Sequence, residues 1–356
     1  MTVTGIKLNE TISGGPTAPQ GQEFKQAYFA EHASLTGMTT IDVTSDVATI
    51  FAGNDELIGE LETAQANADS GFFAVVYLVP VGSLVSANLG TYIDDLAATY
   101  EVATLLFVKD ANVDFAVALE AELATQENQK RYFEAVIRFR QVTDLGLPTQ
   151  ELPDDYASAF AWEFDGFASS RISIVAPTTQ SKWLGAYGGR LARIRVQASA
   201  GKVLDGGLKN VDVDPAYGNT QFASLDLARA VFFKRFVEDP SSVYVNDDLV
   251  MFSAVDQVTT MAQRRVLNKA KREVLFYAFP LINDDKFNKD ESGAMAASVI
   301  ASKGLELMKK PSPGRTPEIY DYSLAASWVT GGVAIALTLS DVNRIKIVDT
   351  TISLTN

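Results

Sequence analysis

The spacing of apolar residues along the 356-residue chain changes several times, and each change predicts an element. Gly71–Pro80 (GFFAVVYLVP) is a continuous apolar run rich in β-branched and aromatic residues, as in a strand buried on both faces. Val102–Val108 (VATLLFV), Arg131–Phe139 (RYFEAVIRF) and Arg171–Ala176 (RISIVA) predict three more strands. Helical spacing predicts an acidic amphipathic helix over Asp55–Asn67 and further helices over Leu84–Tyr100, Val113–Thr125 and Pro153–Phe167. Gln22–His32 is expected to form a short helix, and Thr39–Ile50 contains strand-like residues. Strands alternating with helices predict a parallel or mixed sheet covered by helices.

The pattern then loses its alternation. Ser181–Gln197 contains GAYGGR, where small residues bring the backbone close to a neighbour, most simply a packed helix. A Gly-rich loop (Ser199–Leu208), a short strand (Val211–Val213) and a helix (Leu225–Phe236) are expected next. Ser242–Ser253 reads as a hairpin whose strands meet at Asn246–Asp247. Two long helices follow, near Val258–Phe279 and Ser292–Lys310, the second closed by Pro311–Gly314 (PSPG). The remainder reads as β: Tyr320–Trp328, Gly332–Leu339 and Asn343–Asn356. A second β-like end, Thr2–Leu8, is separated from the body by the Gly/Pro-rich linker Ser13–Gly21.

Chain ends fray unless tied down. The N-terminal segment carries Val3, Ile6 and Leu8; the C-terminal one carries Ile345 and Ile347, then changes phase to Ile352 and Leu354. The switch at Asp349–Thr350 predicts a bulge or a change of pairing partner. Two readings stand: a strand closing its own subunit, or strand addition between subunits, where main-chain hydrogen bonds supply affinity.

Composition, 47% hydrophobic and 21% charged, is that of a globular protein with room for two or three cores. The longest apolar run, Phe72–Val81, is far short of a membrane span, and the first residues lack a secretory pattern, so cytoplasmic synthesis is expected. The net charge of −14 is unevenly spread: Ile41–Asp165 holds 22 acidic and 5 basic residues, Gly166–Lys310 15 acidic and 20 basic. An acidic, solubilising surface is one explanation; a basic region facing an acidic partner is the other. The overall acidity argues against nucleic acid.

Candidate chemistry is sparse. With no cysteine and only His32, there are no disulfides and no Cys/His zinc site, and His32 is expected on the surface. The α/β region has no G-x-G-x-x-G, the chain has no P-loop, and no cofactor is expected. The pairs Asp94–Asp95, Asp154–Asp155, Asp247–Asp248 and Asp284–Asp285 are neighbours in sequence, which do not converge in a helix or strand and suit turns and caps. The strongest local pattern is Val258–Phe279. Val258, Ala262, Val266, Ala270, Val274 and Tyr277 fall on one arc, with Arg264, Arg265, Lys271 and Arg272 opposite and Lys269 at the boundary. This basic face is either solvated or a docking surface for an acidic partner. Membrane binding is disfavoured, because the first half of the apolar arc lacks bulky residues.

The second half resembles a contractile tail sheath protein of phages and related injection machines. The resemblance runs over Arg171–Asn356 and rests on order: RISIVAP at Arg171–Pro177, then LGAYGGRLAR at Leu184–Arg193, similar to the sheath's small-residue A-G-x-x-A-R helix. Gly185 and Gly188 supply the small residues and Arg190 or Arg193 the arginine; the family's following aspartate is missing. GKVLDGGLKNVD at Gly201–Asp212, VYVNDDLVMFS and QRRVLNKAKREVLFYAF, and the closing DVNRIKIVDTTISLTN are similar to the later sheath elements. The resemblance implies an α/β plus α+β fold: an N-terminal arm and linker (1–21), an acidic outer α/β domain with a mixed sheet (22–170), a sheath-like inner α+β domain (171–342) and a C-terminal β arm (343–356). It implies stacked six-fold rings around an inner tail tube protein, with baseplate and tail terminator proteins as further partners. Arms would link subunits, and Arg264, Arg265, Lys269, Lys271 and Arg272 would face the tube. It implies no catalysis, no nucleic acid, no membrane contact, and a place in a virion tail or injection particle. Another tail or baseplate subunit and a cytoplasmic α/β enzyme are the alternatives.

Overall fold

The computed structural model describes residues 21–140, 153–176, 178, 182–213, 217–253, 257–281, 290–310, 317–329, 332–341 and 347–355. Its first half is β1 (Lys25–His32), β2 (Gly37–Asp42), α1 (Val47–Ile50), α2 (Asp55–Asn67), β3 (Phe73–Pro80), α3 (Leu89–Thr99), β4 (Thr104–Asp110), α4 (Val113–Asn128), β5 (Glu134–Arg138) and α5 (Pro153–Glu163). Then come β6 (Ile172–Val175), α6 (Trp183–Arg193), α7 (Asn219–Leu227), β7 (Phe233–Phe236), β8 (Asp239–Val245), α8 (Met261–Ala278), α9 (Glu291–Lys309), β9 (Ile319–Val329), β10 (Gly332–Asp341) and β11 (Ile347–Thr355).

β1–β6 form one sheet in the order β2-β3-β1-β4-β5-β6, parallel except for β2 at the edge. Right-handed crossovers put connections that run in opposite directions from β1 on opposite faces. One face carries Phe29, Tyr77, Phe107 and Ile137 against α3, α4 and α5; the other carries Tyr28, Val76, Leu106 and Val136 against α2 and α6. Burial on both faces is why β3 and β4 read as unbroken apolar runs. A third core joins α8 and α9 to β9 and β10, through Val266, Val274, Leu305, Ile335 and Leu337.

Several expectations are corrected. Gln22–His32 is a 3-10 turn (Gln22–Phe24) followed by β1, a central strand, because the apolar pair Tyr28 and Phe29 is buried on opposite faces. His32 is buried, its Nδ1 accepting from the Ser34 and Leu35 backbone N–H groups. Leu225–Phe236 divides into the end of α7 and strand β7, and the hairpin is β7–β8, turning at Val237–Glu238 rather than at Asn246–Asp247. Val211–Val213 is not a strand. The boundary expected at 170/171 does not divide the packing either: β6 is a strand of the six-stranded sheet and α6 lies on its face.

α6 is where small residues are required. A Cβ on Gly185 would sit 1.9 Å from the Glu60 carbonyl oxygen, and one on Gly189 2.3 Å from that of Ala64, so α6 packs directly on the backbone of α2. Glu60 sits in this contact, fully buried, accepting from the Gly185 N–H at 2.6 Å with Arg138 at 3.6 Å. Burial pushes its carboxyl up to about 7, against the pull of Arg138.

Two measurements follow from this contact. Gly185→Ala and Gly189→Ala are each expected to destabilise the chain by about 1–3 kcal/mol in denaturant titration, the range for overpacking; unchanged midpoints would show that the helices are not that close. The folded-state value of Glu60 lies above the ordinary ~4.3 of a glutamate, so its support is complete below that pH and is lost as pH rises through about 7. Glu60→Gln keeps an acceptor and carries no charge. It is expected to gain on the order of 2 kcal/mol over the parent at pH 8 and to flatten the decline of stability between pH 5 and 8.

Candidate assembly interface

α8 begins at a capping box, Thr260 and Gln263 each satisfying the other's backbone. Beneath that end, the buried Asp248 carboxylate accepts from the Ala262 N–H at 2.9 Å. Burial and the neighbouring Asp247 push the Asp248 carboxyl up to about 7.

The basic arc of α8 faces neither solvent nor a free surface. Arg264, Arg265, Lys271 and Arg272 are all buried, and Lys269 nearly so. Charges survive such burial only with counter-charges and hydrogen bonds, and distant segments of the same chain supply them. Glu127, at the end of α4, receives Arg264 at 2.9 Å, Arg171 at 2.6 Å and Lys271. Burial alone would raise the Glu127 carboxyl, but Arg264, Lys271 and Arg171 outweigh it and hold it well below the usual carboxylate range. Lys271 is pulled down to about 8, by burial first and then by Arg264. Glu134 on β5 accepts from Asn268 at 2.6 Å and from Thr104 at 2.9 Å. Lys269 bridges Glu23 at 2.9 Å and Glu318 at 2.8 Å. Arg265 donates to the carbonyls of Leu191 at 2.8 Å and Glu23 at 3.2 Å, and Arg272 to that of Tyr132 at 3.1 Å.

The expected tube-facing set is therefore corrected: these five cations join the third core to the six-stranded sheet. The periodicity of α8 marked its polar side correctly but not what covers it. The partners Glu23, Glu127 and Glu134 were missed, although the lone glutamate inside the apolar run RYFEAVIRF is the kind of signal that marks a buried charge.

The terminal sheet lies at the other side of the third core. Its order is β11-β10-β9, antiparallel throughout. β9 alternates, with Tyr322, Leu324, Ala326 and Trp328 packed on the third core and Ser323, Ala325 and Ser327 exposed. Among the described residues no strand pairs with the outer edge of β9, an eleven-residue row of main-chain groups. Of the expected arm residues, Ile347, Ile352 and Leu354 lie in β11, where Ile352 is in register with Ile335 and Leu354 with Val333. The register runs without a shift through Asp349 and Thr350, so this pairing has no bulge there. Val3, Ile6, Leu8 and Ile345 lie outside the described residues.

At the carboxyl ends of β4 and β5, where doubly wound sheets bind ligands, a crevice of about 460 Å³ is lined by Lys109, Asp110, Asn112, Arg140 and Glu163 among others. Lys109 is engaged by the Leu84 carbonyl at 2.6 Å, and Arg140 lies 3.7 Å from Glu163. Among the described residues no group of three or more His, Asp or Glu side chains could hold a metal ion, and no helix is long and apolar enough to cross a membrane.

A family described as DUF2586, N-terminal domain, matches residues 15–249. The chain belongs to this DUF2586 family. No curated protein matches it by sequence. Solved structures are similar to the DUF2586 chain over nearly its whole length. A chain of the anti-feeding prophage baseplate, symmetrised six-fold, superposes with a TM-score of 0.63 at 14% identity, covering 98% of each chain. The sheath tail protein of Desulfitobacterium hafniense gives 0.61 at 13% identity, covering 96% of this chain and 99% of that one. The contracted helical sheath of the anti-feeding prophage gives 0.59 at 13%, covering 100% and 96%. The DUF2586 chain thus has the tail sheath fold, as the resemblance in its second half implied, and the likeness extends through the six-stranded sheet.

Removing the Glu127 carboxylate leaves three buried or half-buried cations without their shared partner. Glu127→Gln is expected to cost about 3–5 kcal/mol, the usual penalty for breaking a buried pair from one side. Because the folded-state value of Glu127 is depressed, its support is complete above the ordinary ~4.3 and is lost as pH falls below it. Acid unfolding monitored by circular dichroism should therefore be much shallower below pH 4 in the variant; superimposable curves would exclude this role.

Proposed function

We propose that this protein is a structural subunit of a contractile tail sheath. The observation that carries the proposal is the whole-length likeness to sheath proteins, in a chain whose terminal sheet leaves the edge of β9 open among the described residues. In this reading copies assemble as stacked six-fold rings around an inner tube, within a virion tail or injection particle. The segments 1–21 and 343–356 are arms, and Val3, Ile6, Leu8, Ile345, Ile347, Ile352 and Leu354 are their apolar positions. A neighbour's arm adds a strand along β9, with affinity from main-chain hydrogen bonds. The acidic α/β part faces outward, and contraction moves whole subunits relative to one another. The work is mechanical and calls for no catalytic group. Docking to the tube would fall to surfaces other than the basic arc of α8, and the outward stripe of α9, Met295, Val299 and Leu307, is available for it.

A second reading is favoured by the matches to chains of baseplate structures. In that reading copies of this chain would form a ring within a baseplate and would not extend into a long polymer.

Electron microscopy of the purified protein separates the two. Helical tubes wider than a bare inner tube are expected for a sheath subunit, single rings for a baseplate subunit, and dispersed monomers at all concentrations contradict both. Deleting 345–356 is expected to abolish tubes while leaving a folded monomer; tubes at undiminished yield would rule out the C-terminal arm as a link.

A further inference from the structure

The cations of α8 lie inside the chain, and an outward group of cations lies in one loop, where Lys202 is 3.9 Å from Asp205. Arg193–Lys209 (RIRVQASAGKVLDGGLK) holds four basic residues and one acidic residue. Arg193, Arg195, Lys202 and Lys209 are all exposed, and among them Leu204 is 90% exposed and Val203 47%. The loop is firmly anchored. Arg190, itself buried, donates to the carbonyls of Asp205, at 2.9 Å, and Gly206. The Leu208 N–H donates to the Val243 carbonyl at 2.7 Å, and the Lys209 N–H to Asn67 Oδ1 at 2.8 Å. Gly201 lies flush with the backbone of Val245 and Asn246, where a Cβ would meet a carbonyl oxygen at 3.0 Å. An apolar side chain held out from a fixed turn, in a loop that carries four cations, has the form of an interface anchor, and its ordering cost is already met on folding.

The complementary surface lies elsewhere on the same chain. Residues 26–108 contain eleven Asp and Glu and no Lys or Arg. Asp55 and Glu62 are seven residues apart and so share one side of α2, and both are exposed. Gln65, on the same helix, donates to the carbonyls of Asp42 at 2.7 Å and Ser45 at 2.9 Å, which holds the turn bearing Asp42 and Asp46 beside α2. Among the described residues none of these four carboxylates is in an ion pair. Ile50, at the end of α1, is 37% exposed.

We propose that the Arg193–Lys209 loop of one copy seats, with Leu204 as its anchor, on the acidic α1–α2 face of a second copy of this chain. The faces are different parts of the molecule, so the contact is head-to-tail and can repeat from copy to copy, as a polymer requires. The inference rests on the self-assembly reading above and adds to it a side-chain contact sensitive to salt.

Charge exchange tests it. One variant carries Arg195→Glu, Lys202→Glu and Lys209→Glu; the other carries Asp55→Lys and Glu62→Lys; each is first checked for a parental circular dichroism spectrum and melting curve. At about 0.1 M salt, where surface charges still act over about 10 Å, each variant alone is expected to associate about tenfold less than the parent. The two mixed in equal amounts should recover association, because each supplies the sign the other lacks. Leu204→Ser should weaken association without changing its dependence on salt. Sedimentation velocity is the readout, since it registers pairs as well as polymers. Variants that associate like the parent on their own, or a mixture that does not recover, would overturn the contact. Polymers indifferent to every reversal would overturn it while leaving the sheath reading in place. Pairs that obey the reversal pattern but never extend would retain the contact and retire the sheath reading.

Discussion

The architecture depends on carboxylates that neutralise a buried basic helix. α8 brings five cations to the junction between two cores, and ions removed from water destabilise a fold unless counter-charge is in place. Glu127 supplies it to Arg264 and Lys271, and Glu23 and Glu318 to Lys269; Arg265 and Arg272 donate to main-chain carbonyls, and Glu134 holds Asn268 in the same layer. Each donor and acceptor in this layer has a direction, so the junction fixes how the third core sits on the six-stranded sheet. An apolar junction of the same area would be less specific, because hydrophobic contact is non-directional.

A second constraint lies on the face of the sheet that carries Tyr28 and Val76, where α6 presses on α2 through glycine. The backbones approach closely enough that Glu60 is enclosed in the contact and the Gly185 N–H becomes its partner. The arginine one turn on, Arg190, projects from the same helix to fix the following loop. One short run, GAYGGR, thus sets helix packing, accommodates a buried carboxyl and orders a surface loop.

How much of this was legible in the sequence depended on how local the cause is. α2 was expected over Asp55–Asn67, the span it occupies, because its periodicity and its cap at Asn54 are contained in the segment. β3, β4 and β6 were legible because burial on both faces leaves an unbroken apolar run. β1 was misread as a helix because its eight residues begin with Lys25 and end with Glu31 and His32, polar groups that the surrounding loops accommodate. The basic arc of α8 was legible as a polar face and not as an interior one. Its partner Glu127 comes from more than a hundred residues earlier, and no window of sequence holds both sides of a contact between α8 and α4. The β strands at the end were legible, but the pairing of β11 with β10 of its own chain was one of two readings the sequence left open.

The directional layer under α8 also has a mechanical meaning. Greasy interfaces can slide by a fraction of a turn with little change in energy, whereas a layer of ions bonded along fixed vectors resists shear until several bonds break together. A load applied to the terminal sheet is therefore passed through α8 into the six-stranded sheet with little internal slip. In the proposed sheath such a body would act as one stiff lever, and any large displacement between copies would be taken up where one chain meets the next.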